Sequence, residues 1–190
     1  MHPELGLHGV PRGPGRNHSA RGYPPGVDFA FEHWFEAPPK DVAEAILDLK
    51  YQDTLRDIEV LAGREVLEQE EQPDGTIKRR VRCILGVDLG AARRFIGDAD
   101  PAWIEEAVWD PEQHRWEWKV LPEVAKDLLT ASGYIEIDGS EDEAVRIVSG
   151  NVKVKVPMYG GKVEAVIVRG LESAYAEEAE RLTEWLAESD

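Results

Sequence analysis

The chain has one cysteine in 190 residues, Cys83, so it can form no intramolecular disulfide and no thiolate metal cluster. It is also short of basic charge: 22 Lys and Arg face 38 Asp and Glu, for a formal net charge of −16. Such a surface repels nucleic acid phosphates and anionic membranes at long range. It suits a neutral ligand or a basic protein partner, whose identity the sequence leaves unknown. No run of about 18 apolar residues exists, so no membrane insertion is expected. The first residues lack the continuous apolar stretch of a signal peptide, and the expected compartment is the cytoplasm.

Chemistry-bearing motifs are equally sparse. Of the five histidines, His2, His8 and His18 lie in an N-terminal tail, while His33 and His114 are far apart. Neither spacing suits a metal. There is no Gly-x-Ser-x-Gly elbow, and Cys83 lies in a strand-like run without a histidine partner, as a buried, inert thiol would. Gly160-Gly161-Lys162 lacks the spacing of a P-loop and reads as a tight strand-to-helix corner; the alternative is N–H groups left free for an anion or a ligand carbonyl. Acidic pairs such as Glu105-Glu106, and Asp127, are too common here to single out. No catalytic residue, metal or cofactor is therefore assigned, and the balance is against an enzyme.

What is present is core-forming material: 42% hydrophobic residues and six tryptophans, enough for one domain without staples. Residues 1–27 differ in kind. Gly9-Val10-Pro11-Arg12-Gly13-Pro14-Gly15-Arg16 has almost nothing to bury and is expected to be disordered. The alternative is a misassigned start, with the natural chain beginning near Val27.

The domain is expected over residues 28–190. Phe29, Phe31, His33 and Phe35 alternate as a half-buried strand does. Pro38-Pro39 stops that strand and opens a helix with Val42, Ala45, Ile46 and Leu49 on one stripe. A second short helix around Tyr51 to Leu55 follows. Next comes a meander of strands: Ile58 to Glu70, Thr76 to Val87, Trp103 to Trp109, Arg115 to Leu121, Leu128 to Asp138 and Glu143 to Val156. Residues 90–101 fit either a short helix or a loop over a pocket. Ser149-Gly150 suggests a bulge, because the apolar register passes there from Val145 and Ile147 to Val152, Val154 and Val156. From Tyr159 to Glu188 the chain has no proline and holds helical spacing, which makes a helix of about 45 Å. Gly170 inside it points to close approach to the sheet, or to a slight kink that opens space.

That order, with Val154-Lys155-Val156-Pro157-Met158-Tyr159-Gly160-Gly161-Lys162-Val163-Glu164 at the last junction and Ala37-Pro38-Pro39-Lys40-Asp41-Val42 after the first strand, resembles the START-like superfamily. This is the helix-grip fold of the SRPBCC, polyketide cyclase/dehydrase and lipid-transport proteins. The likeness covers about Asp28 to Glu188 and is nearest to one of the superfamily's uncharacterised bacterial families. It implies an α+β domain of β-α(α)-β6-α order, with a seven-stranded curved antiparallel sheet around a long C-terminal helix. It also implies a space between sheet and helix that binds lipids or other hydrophobic molecules.

The expected function is to bind or carry a lipid, fatty acid or polyketide-like molecule in that space. The alternatives are a cyclase, dehydratase or hydrolase acting there, or a ligand-free interaction module. Trp116 and Trp118 share one face of their strand, and Met158 and Tyr159 sit where the last helix begins. With Val163, Val166, Ile167 and Gly170 they form the expected lining. His33, Arg82 and Tyr134 are the polar groups to seek inside it; for Arg80 and Arg82 the competing reading is outward pairing with glutamates.

Overall fold

The computed structural model describes residues 26–86, 90, 93 and 97–189. Strand β1, Val27–Phe35, buries Phe29 and Phe35 and exposes Ala30, Glu32 and Trp34, as its alternation requires. Helix α1, Pro39–Leu47, starts on proline, and its buried stripe is Val42, Ala43, Ala45 and Ile46. Asp48 ends it and caps the next helix, α2 (Leu49–Thr54), by accepting a bond from the Lys50 N–H at 2.6 Å. The strands β2 (Leu61–Glu71), β3 (Ile77–Leu85), β4 (Ala102–Asp110), β5 (Arg115–Pro122), β6 (Leu129–Gly139) and β7 (Ala144–Val154) follow, then helix α3, Gly160–Ser189.

All neighbours in the sheet are antiparallel, in the order β1-β7-β6-β5-β4-β3-β2. Consecutive strands pair, and only β1 is carried across to pair with the last strand. The sheet curves around α3, which makes its main contacts with β1, β7 and the two short helices. Leu182 of α3 is completely buried, a placement that contributes about 1.5–3 kcal/mol relative to exposure. No described helix is long and apolar enough to cross a membrane.

The pattern in β7 corrects two expectations. No bulge interrupts it: its pairing with β1 and with β6 runs without a break. The inward residues are Ala144, Arg146, Val148, Gly150, Val152 and Val154, so Val145 and Ile147 are on the outer face and a fully buried arginine is inside. Gly150 serves a different purpose. It lies directly opposite Gly133 of β6, and a Cβ built on either would come within 2.6–2.7 Å of the Trp118 indole. The two glycines form a notch for that ring. Register irregularities occur instead in β2, at Leu61/Gly63 and Val66/Glu68.

Strand β2 begins at Leu61, not Ile58, because the Leu61 N–H bonds back to the Ile58 carbonyl in a turn. Gly160 makes the tight corner: a Cβ there would stand 2.5 Å from the Val154 carbonyl. Residues 1–25 of the tail reading for 1–27, and residues 91, 92 and 94–96 of the helix-or-loop reading for 90–101, lie outside the described residues.

Candidate functional site

On the inner face of the sheet, β1 and β7 contribute Phe29, Phe31, His33, Arg146 and Val148. Strands β3, β4 and β5 contribute Arg79, Val81, Cys83, Trp103, Glu105, Ala107, Trp109, Trp116, Trp118 and Val120, in matched rows. Trp118 is nearly buried and stacks on Phe29 with centroids 6.1 Å apart; Phe29 stacks on Phe31 at 5.0 Å. This gives one aromatic wall across the middle of the sheet.

The inward polar groups fall into two sets. In the first, Arg146 is wholly buried, donates to Glu178 Oε1 at 2.7 Å and to the Tyr175 carbonyl at 3.0 Å, and so ties β7 to α3. Its Nη2 also lies 3.5 Å from His33 Nδ1. Burial and the Arg146 charge push the His33 pKa down to about 4, against the opposing pull of Glu178, so the ring is neutral at pH 7. Nearby, Arg79 donates to the Ile46 carbonyl at 2.8 Å, Gln69 to the Leu47 carbonyl at 2.8 Å and Gln52 to Ile46 at 2.8 Å. These bonds satisfy the last carbonyls of α1, where a cation also complements the helix dipole. Arg64 is held by the Gln52 carbonyl and side chain, and Arg79 stacks 4.4 Å over the Trp116 ring. Burial lowers the Arg79 pKa to about 10, which leaves it charged at neutral pH.

The second set lacks such partners. Glu105 points inward between Val81 and Val120. It is half-buried. Burial raises its pKa, Arg64 and Arg79 pull the other way, and Glu178 adds to the rise. The Tyr175 phenol pKa is raised by burial first and then by Glu105, its largest charged influence. Neither the Glu105 carboxyl nor the Tyr175 hydroxyl makes a hydrogen bond to a described residue. Trp116 Nε1, Trp118 Nε1 and Arg79 Nε are buried donors without a partner among the described residues. Cys83 is buried and its thiol is pushed up to about 12, which fits an inert group.

The expected site residues divide between the faces. Trp116 and Trp118 are inward, as is His33. Val163 and Ile167 are half-buried and pack against the core. Met158 is 91% exposed and cannot line an interior; it has a positive φ of 63° at the corner before α3. Tyr159 and Val166 are also exposed. A Cβ at Gly170 would meet nothing within 4 Å, so close approach to the sheet does not explain that glycine.

Arg82 and Tyr134 are corrected to the outer face. Arg82 grips Glu123 with two bonds of 2.8 Å, and Arg80 pairs with Glu68 and Glu106. Tyr134 lies 3.4 Å beneath the Arg115 guanidinium. A shallow hollow of about 320 Å³ at Gly133 and Gly150 is lined mainly by outward residues, including Glu117, Ser132, Ser149 and Asn151. Among the described residues no group of three or more His, Cys, Asp or Glu could hold a metal. Glu105 is not among the expected site residues, although its alternation with Trp103, Ala107 and Trp109 is the signal that turns it inward.

The family described as "Protein of unknown function (DUF2505)" matches residues 30–186. The chain belongs to the DUF2505 family. Among curated protein sequences none matches it. Solved structures show what fold a DUF2505 chain adopts. It is similar to TTHA0849 from Thermus thermophilus, with 21% identity and TM-score 0.62 over 86% of this chain and 100% of that one. It is similar to the Zhui aromatase/cyclase from Streptomyces sp. R1128, with 11% identity and TM-score 0.60 over 85% and 93%. A START superfamily protein from Mycobacterium smegmatis is 16% identical, with TM-score 0.50 over 82% and 99%. At these identities the likeness establishes the fold alone, and that fold is START-like.

Proposed function

We propose that this protein binds and carries a hydrophobic small molecule, of lipid, fatty acid or polyketide-like kind, on the inner face of β3–β5 beside α3. The observation that carries this reading is the uneven grip of the helix. It packs on β1 and β7, whereas the inward rows of β3–β5 carry Trp116, Trp118 and, between Val81 and Val120, the half-buried Glu105. A concave apolar wall with a few polar groups is the usual form of a small-molecule site. Among the described residues no nucleophile or second acid–base group lies within hydrogen-bond distance of Glu105. Binding is therefore favoured over the enzyme alternative.

Native mass spectrometry of protein from its own host is expected to show a co-purifying apolar compound. After extraction, the neutral probe N-phenyl-1-naphthylamine should gain fluorescence on binding to the emptied protein. A protein that is empty as isolated and also ignores the probe overturns the proposal.

A further inference from the structure

We propose that Gln69, Arg79 and Trp116 form a site for one hydroxyl oxygen, of a water molecule or of a ligand alcohol, where the end of α1 meets the sheet. Gln69 and Arg79 are directly paired neighbours on β2 and β3, a relation that puts their Cβ atoms about 5 Å apart. Their side chains converge on consecutive carbonyls of α1: Gln69 Nε2 donates to Leu47 and Arg79 Nη1 to Ile46, each at 2.8 Å. Toward the sheet interior, the Arg79 guanidinium carbon lies 4.4 Å from the centre of the Trp116 ring. Arg79 and Trp116 are 6% and 1% exposed. Each of the three residues has one buried polar atom without a partner among the described residues: Gln69 Oε1, Arg79 Nε and Trp116 Nε1.

Two donors and one acceptor select the chemistry of the occupant. A hydroxyl oxygen accepts from Arg79 Nε and Trp116 Nε1 and donates its own proton to Gln69 Oε1, so all three are satisfied. A carbonyl or carboxylate oxygen would face the lone pairs of Oε1, and an ammonium would face two N–H groups, one of them on a cation. Turning the Gln69 amide over does not help, because its oxygen would then meet the Leu47 carbonyl. Arg79 stays charged at neutral pH, which makes its bond to the oxygen a charge-assisted one. Buried polar groups of this kind are commonly served by an internal water with about three hydrogen bonds, and a ligand alcohol presents the same oxygen. The site goes beyond the carrier reading and does not need it, since water alone satisfies the three atoms.

The test is a high-resolution crystal structure of the full chain after organic extraction, with and without 2-naphthol. The expected result is an oxygen within about 2.7–3.2 Å of Gln69 Oε1, Arg79 Nε and Trp116 Nε1. A discrete oxygen that persists in both crystals identifies water as the source. Its replacement by the naphthol hydroxyl identifies a ligand alcohol, and either result supports the site. In Gln69→Met, which removes the acceptor, this density should be lost while Arg79 keeps its bond to Ile46. If that variant folds poorly, the native protein in solution remains decisive: water should show nuclear Overhauser contacts to the Trp116 indole proton and the Arg79 Nε proton. A direct bond between Gln69 Oε1 and Arg79 Nε, density that survives Gln69→Met, or the lack of both water contacts overturns the site. None of these results touches the carrier reading, which stands or falls on naphthylamine binding.

Discussion

The two sides of the inner sheet face treat their buried polar groups in opposite ways. On the β1–β7 side, Arg146, Glu178 and the Tyr175 carbonyl satisfy one another and fasten the helix to the sheet. Only Arg146 Nε is left over there. On the β4–β5 side, Glu105 and the Trp116 and Trp118 indole N–H groups have no described partner. A satisfied network stabilises a unique packing, whereas an unsatisfied one costs free energy until something occupies it. The first side is thus the hinge-pin of the fold, and the second is where a ligand would be expected.

The largest effect should come from breaking the fastened side. Arg146→Met leaves Glu178 facing the interior without its cation, and removal of one partner of a buried pair typically costs about 3–5 kcal/mol. The urea midpoint should fall accordingly. Glu178→Met should cost at least as much through the uncompensated Arg146 charge, and the double variant should recover much of either loss. Additive losses would mean that the pair acts independently and does not pin the helix.

A smaller effect should follow from filling the notch between the two sides. Gly150→Ala places a Cβ 2.6 Å from the Trp118 ring and 2.7 Å from the Ser132 carbonyl, so the indole must move. Overpacking of this kind costs about 1–3 kcal/mol. Because Trp118 leads from the aromatic wall into the proposed site, its fluorescence and the affinity for N-phenyl-1-naphthylamine should both shift. Unchanged emission would show that the notch tolerates the methyl group.

Most of the architecture was legible because strand alternation and helical period are written in the apolar residues. Phe29, Phe31 and Phe35 set the face of β1, Trp116 and Trp118 that of β5, and the proline-free run after Tyr159 set the length of α3. The site was less legible because its deciding residues are the polar ones turned inward. In β7 the apolar Val145 and Ile147 suggested the inner face, but Arg146 occupies it, paired with a glutamate 32 positions away. In β4, Glu105 resembled one more acidic residue in a chain with 38 of them. Arg82 and Tyr134 were misplaced for the converse reason: their outer-face partners, Glu123 just beyond β5 and Arg115 in β5, are distant in sequence. Long-range pairing of charges is invisible to local periodicity.

Titration separates the two sides most finely, because their shifted groups have opposite signs. His33 has a folded pKa of about 4 against an ordinary 6.5. As pH falls through 6.5 the unfolded chain takes up a proton that the folded site refuses, so this group's contribution to stability declines between pH 6.5 and about 4 and then levels. Glu105 has a raised pKa. Above 4.5 the unfolded chain releases a proton that the folded site retains, so its contribution declines as pH rises and is fully restored below 4.5. The midpoint difference between the native protein and His33→Leu should therefore become less favourable to the native protein on acidification. The difference from Glu105→Gln should become more favourable over the same change. If both differences move in the same direction, the two sides share one electrostatic environment, and the division between a fastened and a waiting half is wrong.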